Sequence, residues 1–399
     1  MPKLSSRNIF NIVILLGVLA MLGPVGHDIF IPAIPIIAEG LSTTTNQVSV
    51  SISAIFLGNA IGTLIHGPVA DRFGRKIIIL WVLGIYVLAA IAGAFSPNVE
   101  TLIVLRFVQG LALAGGRVLS AAVARDLFEN EKLGKVMSDI MFITAIAAVV
   151  APLIGGYSAK YLPWQSTLFF MAIFASLVFI LFLLFFKEGY MVERRDSLQL
   201  KLIFQDVKII TSNFSFLLYS VTGGLMLAGL IVFLSVSANI IIASYGVPAD
   251  IYGFLFASVS LSFLFGAAVG SRLVIKIGLY QMIKWGVMFG LIGGGLMLVL
   301  ALLEIRTTYA LILPMWVFIF GFAFVNPNTV AAALQPFQNI AGSASSLTNF
   351  IRGMIGVSVS FLVSFLPQDD ALVIAVTLFL LACAAALSIR LKRYIPQET

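Results

Sequence analysis

The chain has 399 residues, 60% of them hydrophobic and only 10% charged, with a formal net charge of +7. Soluble domains are roughly half apolar and about a quarter charged, so a soluble enzyme, a secreted disulfide scaffold and a disordered chain are excluded. The apolar residues fall in runs of about twenty instead of alternating, which marks membrane-crossing helices and not a membrane β-barrel.

Twelve such runs are predicted, near 9–36, 48–69, 77–95, 102–124, 136–158, 165–186, 214–240, 251–271, 281–302, 310–333, 344–366 and 371–390. The first is too long for a cleavable signal and carries Gly23, Pro24 and Gly26 mid-run, so no signal peptide is expected. The most polar gap, 187–213, divides the runs six and six. The expected fold is therefore an all-α membrane protein of twelve helices in two pseudo-symmetric six-helix bundles, residues 1–190 and 213–399, joined by a cytoplasmic linker, 191–212. Lysine and arginine set the orientation. One set of ends holds Lys3, Arg7, Arg72, Arg75, Lys76, Arg125, Lys132, Lys135, Lys187, Arg194, Arg195, Lys201, Lys208, Arg272, Lys276, Lys284, Arg390, Lys392 and Arg393. The opposite set holds only Lys160 and Arg306, beside the acids Glu39, Glu100, Asp250, Asp369 and Asp370. Both termini and the linker are expected in the cytoplasm of a bacterium, with the chain in its inner membrane.

The first run ends on His27 and Asp28. A carboxyl in an apolar helix is a candidate proton-coupling group, and histidine titrates near neutrality beside it. A hydrogen-bonded interface histidine is the plainer alternative for His27. Between runs two and three stands Gly67-Pro68-Val69-Ala70-Asp71-Arg72-Phe73-Gly74-Arg75-Lys76. Here glycine permits close helix approach, Asp71 can cap a helix or pair with an arginine across the two halves, and the cations anchor the turn. Gly67, Asp71, Arg72, Gly74, Arg75 and Lys76 are candidate gating residues. Neighbouring His66 reads as structural.

Run four contains Arg106-Phe107-Val108-Gln109-Gly110 and, eleven residues after Arg106, Arg117. At ~100° per residue the two arginines return to nearly one face. An arginine within the bilayer is costly, so this stripe is expected to face protein or an aqueous cavity. Arg106 snorkelling to the outer surface is the alternative. A hairpin centred on Phe128 would bring Arg117 level with Asp139 in run five, and an ion pair between them is expected. Run five also carries Ala151-Pro152-Leu153-Ile154-Gly155-Gly156. Pro152 opens a backbone hydrogen bond, and Gly155 and Gly156 allow bending and tight packing. In the second half, Gly270-Ser271-Arg272 resembles the end of run two, and setting Arg72 over Arg272 places Ser271 opposite Asp71. Asn326 and Asn328 in run ten and Arg352 in run eleven complete a candidate substrate-binding set with Arg106, Gln109 and Arg117.

The pattern G-x-x-x-D-R-x-G-R-K at 67–76 resembles the loop signature of the major facilitator superfamily. Arg106 is similar to the buried helix-four arginine of its proton-coupled antiporters, and 151–156 resembles their helix-five antiporter motif. Asp28-Ile29-Phe30-Ile31-Pro32-Ala33-Ile34-Pro35, Asn326-Pro327-Asn328, Gln335-Pro336-Phe337 and Ala341-Gly342-Ser343-Ala344-Ser345-Ser346-Leu347 extend the likeness to the Bcr/CflA drug-resistance group over nearly the whole chain. The resemblance implies a twelve-helix facilitator fold, proton-driven export and rocking of the halves around a mid-membrane site. It leaves the substrate open.

Other chemistries find no support. Cys383 is the single cysteine and His27 and His66 the only histidines, so neither a metal nor a cofactor is expected. No phosphate-binding G-x-x-x-x-G-K-[ST] loop is present, so energy is expected from a gradient. No nucleophile–base constellation suggests an enzyme. The pI of about 9.5 reflects topology and not nucleic-acid binding. The expected partners are a small molecule, protons and the lipid bilayer, with the chain acting as a monomer. Two cargoes fit: small amphiphilic organic compounds exported in exchange for protons, or an endogenous organic anion, such as a carboxylate siderophore or metabolite, moved in either direction. The second rests on three intramembrane arginines set against two aspartates.

Overall fold

The computed structural model describes residues 6–186, 200–367 and 370–391, and the regular structure there is helical. Lys3, Lys187, Arg194, Arg195, Lys392, Arg393, Asp369 and residues 191–199 of the expected linker lie outside the described residues.

The first crossing is built of pieces: α1 (Ser6–Ala20), α2 (Leu22–Asp28), a 3-10 turn (Ile31–Ala33) and α3 (Ile34–Gly40). Pro32 and Pro35 sit in the opening turns of the last two, where a missing N–H costs nothing. The break falls just after Asp28. There follow α4 (Thr45–Phe73), α5 (Arg75–Ala94), α6 (Val99–Leu127), α7 (Asn130–Tyr161) and α8 (Gln165–Phe185). Thr44 and Asn98 cap α4 and α6, accepting from the N–H groups of Gln47 and Thr101. The second half comprises α9 (Leu200–Thr211), α10 (Phe214–Ala238) with a π-turn at Asn239–Ser244, α11 (Ala249–Leu302), α12 (Thr308–Leu334), a 3-10 segment (Gln335–Ile340), α13 (Ala341–Val363) and α14 (Ala371–Leu391). Ten continuous stretches among the described residues are long and apolar enough to cross a bilayer. Two of them are double: α11 breaks at Gly278, and Thr308–Val363 breaks at the 3-10 segment. That makes the twelve crossings expected.

In the first half α6 packs on α4 and α5, α5 on α8, and α1 on α7; in the second, α10 packs on α12, α13 and α14, and α11 on α12 and α14. The halves meet chiefly through α4 on α13 and α7 on α11. Bilayer helices gain little from apolar burial, so small residues that admit close approach govern the packing. At the α4–α6 crossing a Cβ on Gly110 would lie 2.1 Å from the Ile55 carbonyl oxygen.

α4 ends on Gly74 (φ 94°, ψ 144°), and the first limb of α11 ends on Gly278 (φ 78°, ψ 165°). These left-handed glycines occupy matching turns, and they correct the expected register. Aligning them sets Asp71 and Arg72 against Ile275 and Lys276, not against Ser271 and Arg272. The expectation slipped by four residues, one helical turn, because Arg272 and Lys276 share a face. The second half thus has an isoleucine, 86% exposed, where the first has an acid.

Candidate functional site

Arg106 is 1% exposed and enclosed by the first half alone. Its Nη1 donates to the Gly26 carbonyl at 2.9 Å and to Gln109 Oε1 at 2.7 Å, and its guanidinium lies 4.2 Å from the Phe30 ring centre. Met171 sulfur stands 3.8 Å from both Arg106 Nη1 and Gln109 Nε2. The break in the first crossing creates this acceptor. Phe30 N–H turns back to the His27 carbonyl, one residue short of the α-helical partner, and frees the oxygen of Gly26. Gly26 packs closely, and a Cβ there would lie 2.5 Å from Leu113 Cδ1 and 2.9 Å from the Tyr86 hydroxyl, so both side chains would have to shift. Arg106 Nε and Nη2 and the Tyr86 hydroxyl have no hydrogen-bond partner among the described residues. Of the expected environments, Arg106 has the protein one and does not snorkel, while its place in the candidate substrate-binding set is corrected: its fork is held by a backbone carbonyl, an amide and an aromatic face.

Asp28 is 5% exposed and pairs with His27, Oδ1 to Nδ1 at 2.7 Å. The His27 ring stacks on Phe56 of α4 at 5.3 Å. The 3-10 turn just beyond packs on α10 and α11, so the carboxyl lies beside the half-interface.

Arg117 stands at mid-length of α6, exposed, with Nη2 reaching Asn349 Oδ1 of the other half at 3.4 Å. The expected Arg117–Asp139 pair is not among the ion pairs of the described residues. The reason is topological: α6 packs on α4 and α5, whereas α7 packs on α1 and α11, so these consecutive helices are not close neighbours. Arg352, 3% exposed, donates through Nη2 to Asn326 Oδ1, and its Nε is unmatched. Asn328 turns away and donates to the Phe324 carbonyl of its own helix at 2.6 Å. The structure thus brings together Arg117, Asn326, Asn349 and Arg352, and leaves Gln109 and Asn328 elsewhere. Asn349 escaped the sequence reading, although its place three residues before Arg352 puts both on one helix face.

At the end bearing Glu39, Glu100 and Asp250 the halves are sealed. Ser49 donates to the Ser235 carbonyl at 2.8 Å, Ser53 to Ser360 at 3.0 Å, and the Ser235 and Ser360 hydroxyls pair at 2.8 Å. Asn46 reaches the carbonyls of Ser364 and Leu366, and Lys160 pairs with Asp250 at 2.7 Å. Backbone meets backbone beneath Lys160: a Cβ on Gly156 would lie 2.5 Å from the Ala249 oxygen, and one on Gly253 2.6 Å from the Pro152 oxygen. Gly155 faces its own half, where a Cβ would come within 2.3 Å of the Ile29 oxygen.

At the other end the signature loop bonds within its own half. Arg75 pairs with Asp71 and with Asp126, and Lys76 donates to the Leu183 carbonyl at 3.0 Å. Arg72 lies over the Phe73 ring, and Gly67 has open space where a Cβ would stand. Asp71 does not reach across the half-interface, and the close approach expected at Gly67 is not made in this arrangement. His66 accepts a structural role, its Nδ1 2.6 Å from the Gly62 oxygen.

The sequence pattern of the Major Facilitator Superfamily matches residues 16–361. The "Bicyclomycin resistance protein homolog" of Haemophilus influenzae is 30% identical over 390 residues, covering 96% of this chain and 95% of the relative. The "Chloramphenicol resistance protein" of Pseudomonas aeruginosa is 24% identical, covering 90% of this chain and 85% of its own. The "Multidrug resistance protein D" of Escherichia coli is 26% identical, covering 91% and 90%. Among solved structures, a D-xylose–proton symporter superposes with a TM-score of 0.79 at 15% identity, covering 98% of each chain. A nucleoside transporter superposes with a TM-score of 0.78 at 12% identity, covering 95% of this chain and 99% of its own. Twelve crossings, with matching glycine turns after the second of each half, a seal between halves at one end and full-length likeness to resistance proteins converge: this multi-pass membrane chain, a transporter and not an enzyme, belongs to the major facilitator superfamily and resembles its Bcr/CflA drug-resistance group.

Proposed function

We propose that this protein exports small amphiphilic organic compounds across the bacterial inner membrane in exchange for protons, as a monomer. The observation that carries the reading is the end-to-end similarity to proteins named for resistance to bicyclomycin, chloramphenicol and multiple drugs. The excess of lysine and arginine at one set of ends supports cytoplasmic termini, a cytoplasmic linker at 191–212 and an extracytoplasmic seal. On that orientation the described arrangement is the inward-facing one. Transport is then a rocking of residues 1–190 against 213–399, with Pro152, Gly155 and Gly156 of α7 and the loop at 67–76 as gating elements.

Asp28 is the proton carrier in this scheme, with His27 as its partner. Protonating the carboxyl removes a charge beside the half-interface and releases the imidazole. The same short segment offers the Gly26 carbonyl to Arg106, so a shift at Asp28 is transmitted to α6. Arg106 and Gln109 act on this proton site as positioning residues and not as substrate contacts.

A second reading, transport of an organic anion, is favoured by the two arginines at the centre of the half-interface. Proteoliposomes under an imposed pH gradient test both, with neutral antibiotics, lipophilic cations and polycarboxylates as candidate cargo. Gradient-dependent movement of at least one class is expected, and movement of none under either gradient direction overturns the proposal.

A further inference from the structure

Arg117 and Arg352 come from opposite halves and lie near enough at mid-helix for their charges to act on each other. Arg117 bonds Asn349, three residues before Arg352 on the same helix, and the two positive charges repel. Among the described residues neither arginine has an acid as its ion-pair partner, and Asp206 bonds Ser343, near the start of the same helix as Arg352. Between residues 214 and 366 the only acids are Asp250 and Glu304, both at the extracytoplasmic ends, and Asp250 is engaged by Lys160. In the first half Asp28 is held by His27, and Asp139 makes no ion pair with Arg117 among the described residues. The partners present are neutral amide oxygens, from Asn326 for Arg352 and from Asn349 for Arg117.

The two arginines differ in freedom. Arg352 is 3% exposed and fixed by Asn326, and Gly223 and Thr329 pack close around its Nε. Arg117 is exposed and has one long hydrogen bond, 3.4 Å, to a neutral acceptor. A neutral amide compensates a guanidinium less well than a carboxylate, which takes two parallel N–H bonds from an arginine fork. Like charges drawn together in a low dielectric are costly, and an anion between them reverses the sign of that interaction.

We propose that Arg117 and Arg352 form an oxyanion subsite shared between the two halves, which takes a carboxylate or comparable delocalised anion on the transported compound. The assignment rests on the transporter reading above and names its substrate class. The bound anion displaces the Asn349 oxygen from Arg117 and bridges both guanidiniums. Because it cancels their repulsion, it also draws the halves together at that point, so that binding and closure are linked. A cationic compound meets the opposite effect and is disfavoured.

Binding to purified protein tests this with three probes of similar apolar body: 1-naphthaleneacetate, its uncharged amide, and tetraphenylphosphonium. Charge-assisted hydrogen bonds exceed neutral ones, so the carboxylate is expected to bind about tenfold or more tightly than the amide. Arg117→Gln, at an exposed position, should remove that preference, while Arg117→Lys should retain part of it. Arg352→Gln should act likewise, and Arg352→Lys serves if the glutamine variant does not fold. Equal binding of acid and amide, or tighter binding of tetraphenylphosphonium that ignores both arginines, overturns the subsite. Loss of the preference in 150 mM chloride, relative to an isosmotic sucrose buffer, assigns the pair to small inorganic ions and also overturns it as a substrate contact. Wild-type proteoliposomes loaded with a neutral antibiotic, run in parallel, distinguish this failure from failure of the transporter reading: movement there with no acid preference sinks the subsite alone.

Discussion

Replacing Gly156 by alanine should push the transporter out of the arrangement in which this end is sealed. The new Cβ would lie 2.5 Å from the Ala249 oxygen, 3.1 Å from Gly253 Cα and 3.2 Å from Asp250 Cα, all backbone atoms of the other half. No rotamer relieves such a clash, so α7 and α11 must part by roughly 1 Å to restore van der Waals contact. Overpacking of this kind costs about 1–3 kcal/mol. The cost is felt only while the sealed ends are together. The ratio of sealed to open molecules should therefore fall about 5–150-fold. Spin labels at Leu162 and Ile305, both 41% exposed and on different halves, report the separation, with Cys383, the one native cysteine, changed to serine. Electron–electron distance distributions should gain a long component in Gly156→Ala. An unchanged distribution in a variant of normal thermal stability would refute the claim that this backbone contact holds the seal.

Three further outcomes follow from the same geometry. Lys160→Asp should favour the open state by placing two acids face to face, and adding Asp250→Lys should restore wild-type distances; lack of restoration would show that the pair contributes nothing specific. Arg106→Lys should lower both thermal stability and transport, because an ammonium can serve the Gly26 carbonyl and Gln109 from one nitrogen, as Nη1 does, but has no planar face to lay on Phe30. A lysine variant with both properties intact would reduce Arg106 to a general positive charge. Asp28→Asn should abolish accumulation driven by a pH gradient while the protein still folds, and a full gradient built by that variant would exclude Asp28 as the coupling group.

The crossings were legible because lipid leaves the backbone few options but a helix, so hydropathy alone locates them. Side-chain partnerships were legible only where both partners are side chains on one element, as with His27 and Asp28. Arg106 illustrates the limit. One of its two acceptors is a carbonyl freed by a 3-10 turn, and a backbone oxygen carries no residue identity for a sequence to reveal. The Arg117–Asp139 expectation failed for a different reason: it assumed that helices adjacent in the chain are adjacent in space. The slip between Arg72 and Arg272 shows a third, since basic residues a turn apart are interchangeable on a helix face, and only the left-handed glycines at 74 and 278 fix the true match.

The serines that join the halves, Ser49, Ser53, Ser235 and Ser360, bear on speed as well as on closure. A hydroxyl torn from its partner is met by water, which satisfies donor and acceptor alike. Parting this face therefore exchanges one set of bonds for another of nearly equal worth. A seal of interlocked aromatic rings would make a deep thermodynamic trap, and each turnover would wait on escape from it. A hydroxyl seal is shallow by construction, and it leaves the timing of the cycle to whatever binds between the halves.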